Sequence, residues 1–231
     1  RTLLMGGILC GLCLFGGESL QQFGFVHDTE VGKSGFITAL YIVFVPIISL
    51  FLGRRGSPLL WAAVALSLVG LWFLCIPPEG FTIAAGDLFV LACAVVFSLH
   101  ILVIGRYVLL VDAVELSMMQ FFCGSILAFF AMLALESPTW IGWKTALPAM
   151  LWAGIMSNGI AYTLQIVGQR GMNDTTSSLI LSLESVFSVI SGWLILNEVL
   201  SMREGLGCVL MAAAVVLAQL PGNKRLSLIH I

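Results

Sequence analysis

Charge is what this chain has least of. Only 10% of its 231 residues are Asp, Glu, Lys or Arg, against roughly 25% in soluble domains. It has no basic tract, and its formal net charge is −2, so nothing in the composition favours nucleic acid as a partner. Histidine is scarce as well. There are three, with no His-Glu-x-x-His pattern and no Ser–His pair fixed by spacing, which removes the usual starting points for a catalytic set. The six cysteines are scattered through apolar runs and give no disulfide framework. No loop between those runs is long enough to hold a soluble domain. What the chain has in excess is apolar surface: 60% of its residues are hydrophobic and its mean hydropathy is +1.09. A soluble fold cannot hide that much, so the class is integral membrane.

The apolar runs are continuous, without the alternation of a membrane strand, and so read as helices. The expected fold is all-α integral membrane with eight transmembrane helices. They run over Leu3–Phe25, Ser34–Leu52, Leu59–Ile76, Gly86–Ile104, Val114–Leu135, Leu147–Val167, Thr175–Leu196 and Gly205–Leu220. Each is long enough for a bilayer of about 30 Å. Short breaks such as Gly53-Arg54-Arg55-Gly56-Ser57-Pro58 and Pro77-Pro78-Glu79-Gly80 carry turn residues. With Arg1 in the cytoplasm, that side also holds Arg54, Arg55, Arg106, Arg170, Lys224 and Arg225. The outer side holds Lys33, Lys144 and Arg203, as the positive-inside rule requires. The chain opens on Arg1 rather than Met. It closes on Leu226-Ser227-Leu228-Ile229-His230-Ile231, which back-translates to a string resembling a sequencing adapter; this tail is expected to lie outside the fold.

One stretch has a faint copy. Ser19-Leu20-Gln21-Gln22-Phe23-Gly24 aligns with Thr163-Leu164-Gln165-Ile166-Val167-Gly168 at an offset of 144. The same ungapped offset sets Ser34 on Ser178, Leu52 on Leu196, Ser57 on Ser201 and Leu66 on Leu210. Five spans separate the copies, an odd number, so the copies are expected to have opposite orientations. An inverted repeat of apolar helices with polar residues at matching depth is the sequence pattern of an alternating-access transporter.

Polar residues inside these spans are the candidate binding residues. Glu18, Gln21 and Gln22 share one helix face by their spacing, and so do Asn158, Tyr162 and Gln165. The offset sets Glu18 on Tyr162 and Gln21 on Gln165, so the two faces are expected to meet and line a cavity. Glu184 stands near the centre of the seventh span with Ser177, Ser188 and Ser191 on its face, and His100 near the centre of the fourth. A carboxylate at that depth costs about 2.5–3.5 kcal/mol on insertion scales and needs a partner, water or a proton. The bland alternative is interhelical hydrogen bonding at roughly 0.6 kcal/mol per group, with Gln120 a further case.

Other motifs carry less. Cys10-Gly11-Leu12-Cys13 has metal-ligand spacing but lies within a membrane helix and has no second ligand pair, so small-residue packing is the better reading. Gly7 and Gly11 favour close helix contact. Gly32-Lys33-Ser34 mimics the end of a phosphate loop, yet His27 stands where its leading Gly belongs. Asn173-Asp174-Thr175 is a formal glycosylation site that this topology puts on the cytoplasmic side.

Several motifs together resemble the EamA family of the drug/metabolite transporter superfamily. Leu181-Ser182-Leu183-Glu184-Ser185-Val186-Phe187, Gly192 to Glu198 and Gly205-Leu206-Gly207 look like the end of the family's second repeat. Gly32 to Tyr41 with Gly53-Arg54-Arg55 look like the matching part of the first. The resemblance implies ten helices in two inverted five-helix repeats. Residues 1–80 would be the last three helices of the first repeat and 81–220 the second, followed by the tail 221–231. Ser185 departs from the family, which often has Pro there, while Pro46 can still disrupt the first copy. The implied function is a secondary, ATP-independent permease exporting a small organic metabolite or drug-like solute. Its site would comprise Glu18, Gln21, Gln22, His100, Asn158, Tyr162, Gln165 and Glu184, with no cofactor and no metal. Its partners would be the solute and the lipid bilayer, with a homodimer left open. Its place would be the plasma membrane, multi-pass, in a bacterial inner membrane. The competing readings are an accessory or structural membrane protein and, less well supported, a membrane-embedded enzyme.

Overall fold

The computed structural model describes residues 1–54, 56–77, 84–137, 139–195 and 201–220. Arg55, Pro78 to Ile83, Pro138, Leu196 to Leu200 (with Asn197 and Glu198) and the chain from Pro221 on lie outside the described residues. Among the described residues all regular structure is helical. The elements are α1 (Thr2–Val26), α2 (Val31–Ala39), α3 (Tyr41–Phe51), α4 (Pro58–Cys75), α5 (Gly86–Tyr107), α6 (Ala113–Leu135), α7 (Trp140–Trp152), a π-helical segment (Ala153–Tyr162), α8 (Thr163–Gln169), α9 (Asp174–Leu181), α10 (Glu184–Ile195) and α11 (Met202–Gln219).

Seven segments among these are long and apolar enough to cross a membrane: α1, α2 with α3, α4, α5, α6, α9 with α10, and α11. The sixth expected span is the exception. It is helical from Trp140 to Gln169 but in three pieces, each too short to qualify. Pro148 removes one amide donor inside α7. The following turn widens to π geometry where Gly154 and Gly159 reduce side-chain bulk. Thr163 returns the chain to α-helix, and its hydroxyl donates to the Gly159 carbonyl at 2.7 Å. Ser117 on α6 pairs with the same hydroxyl at 2.7 Å.

The chain divides into two compact units. The first comprises residues 1–16 and 102–172. Its core gathers Cys10, Ile104, Tyr107, Val108, Leu116 and Ile166. Gly7 and Gly11 let α1 approach α6 closely: a Cβ on Gly11 would stand 2.7 Å from the Gln120 carbonyl oxygen. The GxxxG spacing is thus spent on packing within the chain, and Cys10 on the apolar core. The outer face of α6 presents Phe122, Phe129, Phe130 and Leu133, a surface suited to lipid.

The second unit comprises residues 17–101 and 173–231. Here the offset of 144 becomes visible as secondary structure. Shifted by 144, α4 (Pro58–Cys75) falls on α11 (Met202–Gln219) end to end. Ser57 caps the first by accepting from the Leu60 amide, and Ser201 caps the second by accepting from the Glu204 amide. The helices before them, α2–α3 and α9–α10, are both interrupted near mid-span, at Leu40 and at Ser182-Leu183. Pro46 lies inside α3, beyond the first break, and is not its site. The second break forms without proline at Ser185. The Ser178 and Ser182 hydroxyls donate to the carbonyls of Thr175 and Leu179, a local competition that bends helices. The break also separates Ser177 from the face that carries Glu184.

Helices α4 and α11 pack antiparallel. Gly70 meets Gly207 and Met211, whereas Leu60, Ala63 and Val64 share a core with Val215 and Ala218. Leu179 of α9 completes that core. Each serine cap carries a prediction. Ser57→Ala and Ser201→Ala should each cost about 1 kcal/mol, a modest fall in melting temperature in detergent. Ser201→Ala should cost more, because its cap is a full capping box with Glu204. Equal melting of both variants with the parent would remove this account of the helix starts.

Candidate functional site

Within the second unit lies a cavity of about 770 Å³. Its wall is built from the last turns of α1, the whole of α2, the C-terminal end of α4, the first half of α10 and the first turn of α11. Polar groups face it from four helices: Gln21 on α1, Ser34 and Thr38 on α2, Glu184, Ser185 and Ser188 on α10, and Arg203 and Glu204 on α11. Gln21 is held by its Nε2, which donates to Thr38 Oγ1 at 3.0 Å. Apolar wall comes from Phe25, Val31, Phe73, Leu74 and Val189.

The interruptions in α2–α3 and α9–α10 decide where this cavity sits. It occupies the half of the unit formed by α2 and α10. The other half, where α3 and α9 pack beside the start of α4, is filled by Leu60, Ala63, Val64, Leu179, Val215 and Ala218. Beyond this dry core, at the far end of α4 from the cavity, Arg54 forms an ion pair with Asp174 at the start of α9. At the cavity end a second ion pair is buried. Lys33 Nζ stands 3.0 Å from Asp87 Oδ2, with only 4% and 11% of the two side chains exposed. Asp87 also accepts from the Thr29 hydroxyl at 3.1 Å and the Ala84 amide at 2.8 Å. As an acid in the first turn of α5, it further suits the positive end of that helix. This set ties the α1–α2 corner to the start of α5.

Two of the eight residues singled out from the sequence, Gln21 and Glu184, share the cavity wall. Glu18 and Gln22 are exposed on α1 and do not belong to that wall. His100 is fully buried in α5. Asn158, Tyr162 and Gln165 lie in the first unit: Asn158 and Tyr162 in its π-helical segment and Gln165, half-buried, on α8. Tyr162 packs edge-on against Phe121. The offset partners Gln21 and Gln165 thus belong to different units. Sequence reasoning missed Thr38, Arg203 and the Lys33–Asp87 pair as parts of the site and its surroundings. Arg203 entered only as a loop charge, and Lys33 as a loop charge and as part of the phosphate-loop mimic and the Gly32 to Tyr41 motif. The available signal for Asp87 was Gly86-Asp87 opening an apolar run, the pattern of an acidic helix start.

Residues 84–220 match the family described as the EamA-like transporter family. A protein of Archaeoglobus fulgidus named as an uncharacterized transporter is 31% identical over 224 residues, covering 93% of this chain and 68% of that protein. A solved crystal structure superposes with a TM-score of 0.75 at 19% identity, covering 97% of this chain and 88% of the other, a likeness of fold.

Proposed function

Because the chain belongs to the EamA-like transporter family, we propose that it carries a small organic solute across a cell membrane by alternating access about the cavity of its second unit. One observation supports this above the others. Open space fills one half of that unit, and a dry core closed by Arg54–Asp174 fills the half related to it by the repeat offset. The elements that trade places under the offset, α2–α3 with α9–α10 and α4 with α11, are the same ones that line the two halves. Rocking that opened one end as it closed the other would interchange their roles. By the positive-inside rule the Arg54 end faces the cytoplasm and the cavity faces outward. In this reading residues 1–80 are the end of a first five-helix repeat, 81–220 the second, and Gln21 and Glu184 contact the solute.

The test uses full-length protein in liposomes with its native cysteines replaced. Ser188→Cys, on the cavity wall, should react with a membrane-impermeant maleimide from the side that bears Arg203. Ser178→Cys, the repeat partner of Ser34 and fully buried, should be inert from both sides. Arg54→Ala should raise its labelling from the opposite side about three- to five-fold, the population shift held back by an ion pair whose arginine is half exposed and which contributes about 0.7–1 kcal/mol. Ser178→Cys labelling indifferent both to Arg54→Ala and to transported solute would overturn alternating access.

A further inference from the structure

We propose, resting on the transport reading above, that Glu184 recognises the ammonium group of a protonated amine, so that the solute class of this cavity is small organic amines. Three ionic side chains line the cavity, and two of them are held by the protein itself. The Glu204 carboxylate accepts from the Ser201 amide at 2.8 Å and the Ser201 hydroxyl at 2.6 Å, closing the capping box of α11. The Arg203 guanidinium lies 5.7 Å over the Phe73 ring and reaches the Trp72 carbonyl oxygen at 3.5 Å, at the edge where α4 meets α11. Glu184 is different. Among the described residues its carboxylate takes no hydrogen bond and no ion pair.

Its position gives weight to the lack of a protein partner. Glu184 opens α10 at the middle of the Asp174–Ile195 span, where a charged carboxylate is expensive. A purely structural acid at this depth is normally matched by a partner within the protein. The buried acid of this same unit, Asp87, shows what matching looks like: an ammonium, a hydroxyl and an amide all converge on it. Glu184 is not buried as Asp87 is: it is exposed to the open cavity, with that space where Asp87 has Lys33. A cation arriving with the solute supplies the missing charge.

The groups around Glu184 fit an ammonium better than an anion or a neutral hydroxyl. An ammonium brings three donors and no acceptor. The carboxylate accepts one, and the hydroxyl oxygens of Ser185 and Ser188 on the same wall accept others. Gln21 spends an amide N–H on Thr38, which leaves its carbonyl oxygen as a further acceptor. An alcohol brings one donor and no positive charge, so it can make a single hydrogen bond to the carboxylate but cannot neutralise it. A carboxylate would meet Glu184 as a like charge. The solute's hydrocarbon part has Phe25, Phe73 and Val189 to lie against.

The experiment compares three ligands of one shape on the purified full-length protein: phenethylamine at a pH where it is protonated, phenethyl alcohol, and hydrocinnamate. Thermal stabilisation reads binding, and uptake of labelled amine into liposomes reads transport. The amine should raise the melting temperature in a saturable way, and the alcohol and the carboxylate should not. Glu184→Gln should weaken the apparent affinity for the amine at least about tenfold, and Glu184→Asp should recover part of it. Ser188→Lys supplies a second test should the glutamine variant fold poorly. It tethers an ammonium one helical turn from Glu184 and should abolish stabilisation by the amine. Binding of the alcohol as tightly as the amine, or amine binding unchanged in both Glu184→Gln and Ser188→Lys, would overturn the assignment. Amine binding without flux would defeat the transport reading and leave this one standing. Flux of uncharged solutes with no preference for amines would do the reverse.

Discussion

Gly70→Leu should leave little folded protein, because no room exists for a side chain where α4 crosses α11. A Cβ on Gly70 would stand 2.7 Å from Met211 Cγ and 3.0 Å from the Gly207 carbonyl oxygen. The crossing is reciprocal: a Cβ on Gly207 would stand 2.8 Å from the Gly70 carbonyl oxygen and 3.1 Å from the Leu74 amide nitrogen. Backbone atoms cannot turn aside as a flexible side chain can, so the helices must separate. Separation loosens the shared core of Leu60, Ala63, Val64, Val215 and Ala218. Close approach through small residues is also what holds membrane helices together, since lipid offers them no hydrophobic drive to associate. Overpacking of this kind costs about 3 kcal/mol or more, on the order of 10 °C in melting temperature. Gly205→Ala provides the contrast: a Cβ there meets nothing within 4 Å. That substitution should hold or raise the melting temperature through better helix propensity. If both variants melted alike in detergent, the crossing would not be the constraint described.

The second large effect is expected at the buried ion pair. Asp87→Ala removes the carboxylate that faces Lys33 and leaves an ammonium only 4% exposed without that counter-charge. Breaking a buried pair from one side costs about 3–5 kcal/mol, most of it the penalty of the charge left behind. The Thr29 hydroxyl and the Ala84 amide lose their acceptor as well. Removing both charges, as Lys33→Met with Asp87→Ala, should recover much of the loss. The double-mutant cycle by thermal melting decides the matter. A double variant no more stable than Asp87→Ala alone would show that the pairing is not what the single substitution destroys. The loss should reach the cavity too, because Gly32 and Ser34, on either side of Lys33, form part of its wall.

Helix positions were largely legible in the chain because burial in lipid requires long, unbroken apolar runs, and these need no knowledge of neighbours. Seven of the eight expected spans correspond to segments that meet the length and hydropathy of a crossing. The span expected over Leu147–Val167, which the structure divides into three pieces between Trp140 and Gln169, shows the limit. Apolar character marked that stretch as a span, but not the π turn, where the Thr163 hydroxyl donates to the Gly159 carbonyl and pairs with Ser117 of another helix. The site was less legible. Glu184 and Gln21 stood out because lipid rejects them. Lys33 and Arg203 did not, because a charge at a helix end is ordinary until its surroundings are known.

What the order of residues determined alone was the membrane class, seven of the helical spans and the 144-residue echo that links Ser57 to Ser201. These follow from hydropathy, helix capping and periodicity, all of them local along the chain. Tertiary packing alone decided which polar residues share a wall. It brought Glu184 and Gln21 to one cavity, sent His100 to the interior, and matched Lys33 with Asp87 across 54 positions of sequence. The physical reason is that a helix span fixes a residue's depth, whereas its partners depend on how each helix is rotated and where it breaks.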